Sequence, residues 1–398
     1  MNGAVGAMLV SRRKLLQGSL LCAAAIVGSP AVAQEFVASP TPDERKRMAG
    51  LATDFMTAND LPGLSIAIAI RGKPAYVEAF GVAERESGEA LTPQHRFRIA
   101  SLSKTITSTG IFTLIEAGKL RLDSYVFGPD SVLGADYLAV PTLQGLMKDS
   151  AGRSPNEQIT IDHLLTHTTG IWAHGVNDPL RTNKEMTHRE LIAWTLENLP
   201  LTAPPGRIFA YSNFGYCILG RVIEKLTGQS YAQYIQDNIL KRCGIVDMQI
   251  AKNALAERAA NEVKYYGPYD PYKRDVARLD SCGGWIATPS DLTTFFVHID
   301  GFKDTEQLLS DDTLRVMTTP SAVNPRYAKG LSIDSRRDNW WHTGLLDGTT
   351  TLSVRTSGDF CWSAFTNTGS GERDVTRPLG HLIWEMVRSA SHWHPERA

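Results

Sequence analysis

The 398-residue chain is 21% charged and 42% hydrophobic, an ordinary globular balance with length for two domains, or for one large fold with an insertion. Its formal net charge is -1 and no basic run is interleaved with aromatics, which argues against a broad nucleic-acid footprint.

Residues 1–33 read as an export signal rather than as fold. Ser11-Arg12-Arg13-Lys14 precedes the apolar stretch Leu15 to Gly28, which Gln17, Gly18 and Ser19 dilute. That stretch is too short and mild for a membrane span, so no stable span is expected in the mature chain. Ala31-Val32-Ala33 supplies the small residues a signal peptidase needs, with cleavage expected before Gln34. Paired arginines before a weak apolar core resemble a twin-arginine signal and imply a periplasmic protein; an ordinary secretory signal is the alternative. Cleavage removes three cations and no acid, leaving the mature chain mildly acidic.

Glu44 to Asn59 reads as a helix, closed at Leu61-Pro62-Gly63. Leu64 to Ile70 and Ala75 to Val82, joined by Arg71-Gly72-Lys73-Pro74, read as a β-hairpin. From Ser103 to Leu120 the pattern is helical, with Gly118 as its stop. Further helical runs follow, clearest at Tyr216 to Leu226, and residues 128–157 look like an insertion or long loop. Thr349 to Arg355 and Asp359 to Phe365 are strand-like, and Val375 to Ala390 is a closing amphipathic helix. Strands at both ends with helices between them imply an α+β fold. One mostly antiparallel sheet is built from 34–120 and 276–398, with a mainly helical domain, 121–275, inserted. Cys217, Cys243, Cys282 and Cys361 form no CxxC pair and read as buried free thiols.

Three places could carry chemistry. At a helix start, Ser101-Leu102-Ser103-Lys104 puts the lysine one turn from the serine on the same face. A serine hydroxyl needs a partner that takes its proton, and a buried lysine can do this or can hold a neighbouring base. The helix N-terminus offers N–H groups to a developing oxyanion. In Tyr211-Ser212-Asn213 a tyrosine near a lysine can act as general base, and Asn213 can donate to a substrate carbonyl. A capping Asn213 beside a packing tyrosine is the plainer reading. His342-Thr343-Gly344 reads as a strand edge for a peptide-like substrate, with Gly344 letting it approach, or as an exposed turn.

SxxK, then YxN, then His-Thr-Gly, in that order, resemble the penicillin-recognising serine hydrolases: class C β-lactamases, D-alanyl-D-alanine carboxypeptidases, D-aminopeptidases and related esterases. His163-Leu164-Leu165-Thr166-His167-Thr168-Thr169-Gly170 and the segment from Gly283 to Leu292 agree, and the resemblance spans about residues 45–390. It implies a β-lactamase/DD-peptidase-like fold with an inserted all-helical domain. It also implies a Ser101 acyl-enzyme, with Lys104 and Tyr211 managing the proton and Tyr211 activating the deacylating water. Asn213 would orient the substrate amide or Lys104. The oxyanion would sit between the N–H groups of Ser101 and Leu345. The family's β-lactamases carry lysine where this chain has His342, whose charge is conditional near neutrality. The departure favours peptide or amide hydrolysis over β-lactam destruction. A carboxylesterase or a β-lactamase of the same fold is the alternative, and a non-catalytic penicillin-binding sensor is the alternative of another class.

His163 and His167, four apart, could chelate zinc on a helix, but no Glu follows His163 directly and no third ligand is evident, so no metal is expected. There is no G-x-S-x-G elbow, P-loop or GxGxxG, and no cofactor is implied. Trp172, His174, Trp340 and Trp341 either line a substrate cleft or pack in the core.

Overall fold

The computed structural model describes residues 39–134, 137, 148–175, 178–369, 374–391 and 393. The segment expected to be an export signal and part of the 128–157 stretch lie outside them. Thr41 accepts from the Glu44 amide while the Glu44 carboxylate accepts from the Thr41 amide, a reciprocal cap. It starts α1 (Pro42–Asn59) two residues ahead of the expected start. β1 (Gly63–Ile70) and β2 (Lys73–Glu84) form the expected hairpin, and β3 (Glu89–Ala90) extends it. β4 (Phe97–Arg98) leads through a tight turn at Ala100–Leu102 into α2 (Ser103–Glu116). α3 (Ile161–Leu165), α4 (His188–Asn198), α5 (Asn213–Thr227), α6 (Tyr231–Ile235) and β5 (Gln249–Ile250) follow. Next come α7 (Asp280–Gly283), β6 (Trp285–Ala287), α8 (Pro289–Val297) and α9 (Asp311–Thr318). β7 (Ser332–Asp334), β8 (Asn339–Leu346), β9 (Thr349–Arg355), β10 (Phe360–Thr366) and α10 (Thr376–Ser389) complete the order.

The main sheet runs β3-β2-β1-β10-β9-β8-β7 and every named pair in it is antiparallel. The two ends of the sequence meet where β1 pairs with β10, from Leu64 opposite Thr366 to Ile70 opposite Phe360. A strand that is apolar but for Ser65 needs cover on both faces, and every residue of β1 is buried. Leu64, Ile66 and Ile68 pack with Leu379, Ile383 and Met386 of α10 and Met48 of α1. On the opposite face the small Ser65, Ala67 and Ala69 let α8 come close, and the Thr293 hydroxyl donates to the Ala67 carbonyl at 3.3 Å. A second sheet, β4-β6-β5, is not readable from the sequence, because strands of two or three residues carry no periodicity. It anchors β4, and hence Ser101. Among the described residues no helix is long and apolar enough to cross a membrane.

Candidate active site

The chain just before Ser101 is clamped from two sides. Thr349 and Thr351 of β9, both buried, donate to the carbonyls of Arg98 and Ile99 at 3.1 and 2.9 Å. The Ile99 amide donates to the Trp285 carbonyl of β6 at 2.9 Å. Ala100 then takes a φ of 50°, a left-handed conformation that side chains resist, and the chain turns sharply into α2. β8 packs directly on this turn. A Cβ added at Gly344 would collide with the Ile99 carbonyl oxygen and the Thr351 hydroxyl. The turn before Ser101 thus gives Gly344 a structural reason to lack a side chain, beside the substrate approach expected from the sequence.

Lys104 has no exposed surface. Its Nζ donates to Ser101 Oγ at 3.0 Å, Asn213 Oδ1 at 2.7 Å and the Cys282 carbonyl at 2.6 Å. Three oxygen acceptors match the three N–H groups of an ammonium. The Tyr211 and Tyr216 rings lie 5.0 and 5.7 Å from Nζ, supplying further favourable contacts for the cation.

Ser212, not Asn213, caps α5, its Oγ accepting from the Gly215 amide at 3.0 Å. Asn213, released from capping, turns Oδ1 to Lys104. Its Nδ2 donates to Asp178 Oδ2 at 3.1 Å and lies 2.7 Å from His174 Nδ1. Asp178 is buried and fixes which end of the amide faces the lysine. It is a positioning residue that no spacing in the sequence announces.

His342 and His167 belong to one buried chain of hydrogen bonds. The Ser212 amide donates to His167 Nδ1 at 3.1 Å, which leaves Nε2–H to donate to the Tyr327 hydroxyl at 3.1 Å. At the other end the Thr343 carbonyl can only accept, so His342 Nδ1–H donates to it at 2.7 Å. His342 Nε2 is then the acceptor for the Tyr327 O–H at 3.1 Å. Every partner is consistent when both imidazoles are neutral. Burial, reinforced by the Lys104 charge, pushes the His342 pKa down to about 3 and holds His167 well below its usual range. The charge at His342 left conditional by the sequence is therefore absent at neutral pH.

A cavity of about 300 Å³ opens over these groups, lined by Ser101, Tyr211, Asn213, His342, Thr343 and Leu345 among others. Gly344 supplies the backbone between two of them, and Lys104 lies buried behind Ser101. β7 pairs only with Asn339 to Trp341, so from His342 to Leu346 β8 has no strand partner on that side among the described residues. Cys282 also lines the cavity, but burial pushes its thiol up to about 12, so it is no rival nucleophile. All four described cysteines are buried and unpaired.

Of the four proposed cleft residues only His174 faces the cavity. Trp172 is core: it is 2% exposed, stands edge-on to Phe214 and donates to the Leu199 carbonyl. Trp340 is buried under the Arg355 guanidinium, and Trp341 packs on the α1/α10 side of the sheet. The zinc premise also falls. α3 ends at Leu165 and His167 has a φ of 58°, so the two histidines do not share a helix face. His163 Nδ1 instead accepts from the Thr160 amide, capping α3.

The Beta-lactamase family model matches residues 48–382. "Penicillin-binding protein 4" of Amycolatopsis lactamdurans is 30% identical over 205 residues, 51% of this chain and 49% of that protein. The chain thus spans about half the length of that curated relative. Among solved structures, the octameric penicillin-binding protein homologue from Pyrococcus abyssi superposes with a TM-score of 0.69 at 22% identity, covering 87% of this chain and 78% of that one. D-amino acid amidase from Ochrobactrum anthropi SV3, complexed with L-phenylalanine amide, gives 0.69 at 20% identity, covering 87% and 98%. With the matched segment running from α1 into α10, the chain belongs to the β-lactamase family of penicillin-recognising serine hydrolases.

Proposed function

We propose that the protein is an exported hydrolase that cleaves amide or peptide bonds through an acyl-enzyme on Ser101. The observation that carries this reading is the buried Lys104 held on Ser101 Oγ beside the part of the β8 edge, His342 to Leu346, that has no strand partner among the described residues. An extended substrate adds to that edge with its carbonyl over Ser101, main-chain hydrogen bonds supplying the alignment. Ser101 Oγ attacks the carbonyl carbon while Tyr211, acting as a phenolate beside the Lys104 ammonium, takes the hydroxyl proton and then passes it to the leaving amine, which departs as the C–N bond breaks. The oxyanion is held by the N–H groups of Ser101 and Leu345, each such donor contributing about 3–4 kcal/mol to barrier lowering. Tyr211 then takes a proton from the water that releases the acyl group.

A neutral His342 offers no full charge to the carboxylate of a β-lactam, which favours amides and peptides over antibiotics. D-amino-acid amides are the first substrates to test, given the fold shared with the Ochrobactrum amidase. Purified protein is expected to label with a fluorophosphonate at Ser101 and to release product from a panel of D- and L-amino-acid amides. Ser101→Ala is expected to lose at least about a thousandfold in kcat. Full hydrolysis by that variant would overturn the nucleophile assignment, and rapid nitrocefin turnover would overturn the preference for amides. Faster p-nitrophenyl ester turnover would make it an esterase, and permanent labelling without turnover a sensor. Export is checked by sequencing the N-terminus of protein recovered from the periplasm, which is expected to begin at Gln34.

A further inference from the structure

Beside the catalytic cavity lies a second one of about 490 Å³. Arg274 and Leu279 line both, so the two share a wall. Five cations, Arg181, Lys184, Lys273, Arg274 and Arg278, line the second cavity against three carboxylates, Asp270, Asp275 and Asp347. The carboxylates are partly committed. Asp347 lies 3.5 Å from Arg274, and Asp275 Oδ1 accepts from the Arg278 amide at 3.0 Å and from Asn253 Nδ2 at 2.8 Å. Asp270 Oδ1 accepts from the Tyr272 amide at 2.9 Å. Among the described residues Lys184, Lys273 and Arg278 are in no ion pair.

Arg278 is the informative member. It is only 9% exposed, and a guanidinium so buried ordinarily meets an anion. Here Nη1 donates to the Asn183 carbonyl at 3.0 Å, while Nε and Nη2 are buried with no hydrogen-bond partner. Burial also disfavours the Arg274 charge; Asp347 offsets this in part and the neighbouring Arg181 adds to it. An anion in the cavity would offset the charge of both groups, acting on Arg278 through the field of its guanidinium rather than by contact with the inaccessible Nε and Nη2.

We propose, resting on the hydrolase reading above, that this cavity is a subsite for a carboxylate carried by the substrate several bonds from the one that is cut. The preferred substrates are then amides or peptides with a remote acidic terminus or side chain. The carboxylate is held by the field of Arg278 and Arg274, with Lys273 and Lys184 attracting it from the rim. Recognition comes from clustered guanidinium charge set apart from the β8 edge, where His342 carries no charge.

The test uses mono-p-nitroanilides of straight-chain diacids, from butanedioic to octanedioic, each beside its methyl ester. Binding is measured calorimetrically with Ser101→Ala protein, and turnover with the wild type. At one chain length the free acid is expected to bind at least about tenfold more tightly than its ester at low salt, and to show a higher kcat/KM. High salt, Arg278→Gln and Lys273→Gln are each expected to shrink that ratio toward one; Lys273 is exposed, so its variant is not expected to disturb folding. Equal affinity of acid and ester at every length overturns the proposal, as does a ratio that neither variant nor salt changes. If the Ser101→Ala protein keeps the preference while the wild type turns over neither compound, the subsite stands and the hydrolase reading falls.

Discussion

A hydroxyl between two neutral imidazoles has no freedom in how it points. Tyr327 accepts from His167 and donates to His342, and so ties the loop that carries Tyr211 to the strand that carries Thr343. Tyr327→Phe would leave His167 Nε2–H and His342 Nε2 buried without partners. A loss of about 1–3 kcal/mol per orphaned group is expected in denaturant titration, with a larger effect on kcat than on fluorophosphonate-accessible Ser101 content. At this scale legibility was uneven. The three-residue gap from Ser101 to Lys104 is a helical spacing, so their contact could be read directly. Asp178 meets Asn213 from 35 positions away, and Tyr327 meets His167 from 160. No local pattern encodes such pairs; only the folded chain brings them together.

Elements were legible where their patterns were long. α5 was expected from Tyr216 to Leu226 and runs from Asn213 to Thr227, its end set by the left-handed Gly228. The two-residue strands β4 and β5 were missed because they hold position through hydrogen bonds rather than through alternation. Trp340 and Trp341 looked like one feature in sequence, yet β pleating sends neighbours to opposite faces, so neither reaches the cavity. The packing of β8 on the turn before Ser101 gives a direct test. Gly344→Ala is expected to fold, as judged by circular dichroism, and to lose about a hundredfold in kcat/KM, the scale of a displacement of roughly 1 Å at a reacting group. Gly358→Ala, where an added Cβ meets nothing nearer than Thr356 Oγ1 at 3.9 Å, is expected to keep its activity.

For the whole molecule, two histidines held neutral link folding to pH. The folded protein keeps His342 unprotonated down to about 3, through burial and then the Lys104 charge, whereas the unfolded chain takes up a proton near 6.5. Between those values the unfolded state binds more protons, so stability falls as the pH drops through that window, and His167 adds in the same direction. Urea midpoints at about pH 7.5 and about pH 5 should show the loss, and His342→Gln should flatten it. An unchanged slope in that variant would assign the dependence to other groups. The sheet architecture was the most legible feature at this scale, because apolar runs at both ends of a long chain leave few ways to bury them. The two cavities were the least legible, since their walls come from segments far apart in sequence.

That architecture also fixes when the site can exist. Ser101 and Lys104 lie in the first third of the chain, but the turn that bears them is braced by β8 and β9, and β9 reaches β1 only through β10. A nascent chain that stops short of residue 339 therefore holds the nucleophile and its lysine without the wall against which they work. The candidate site is therefore complete only once β8 and β9 are in place.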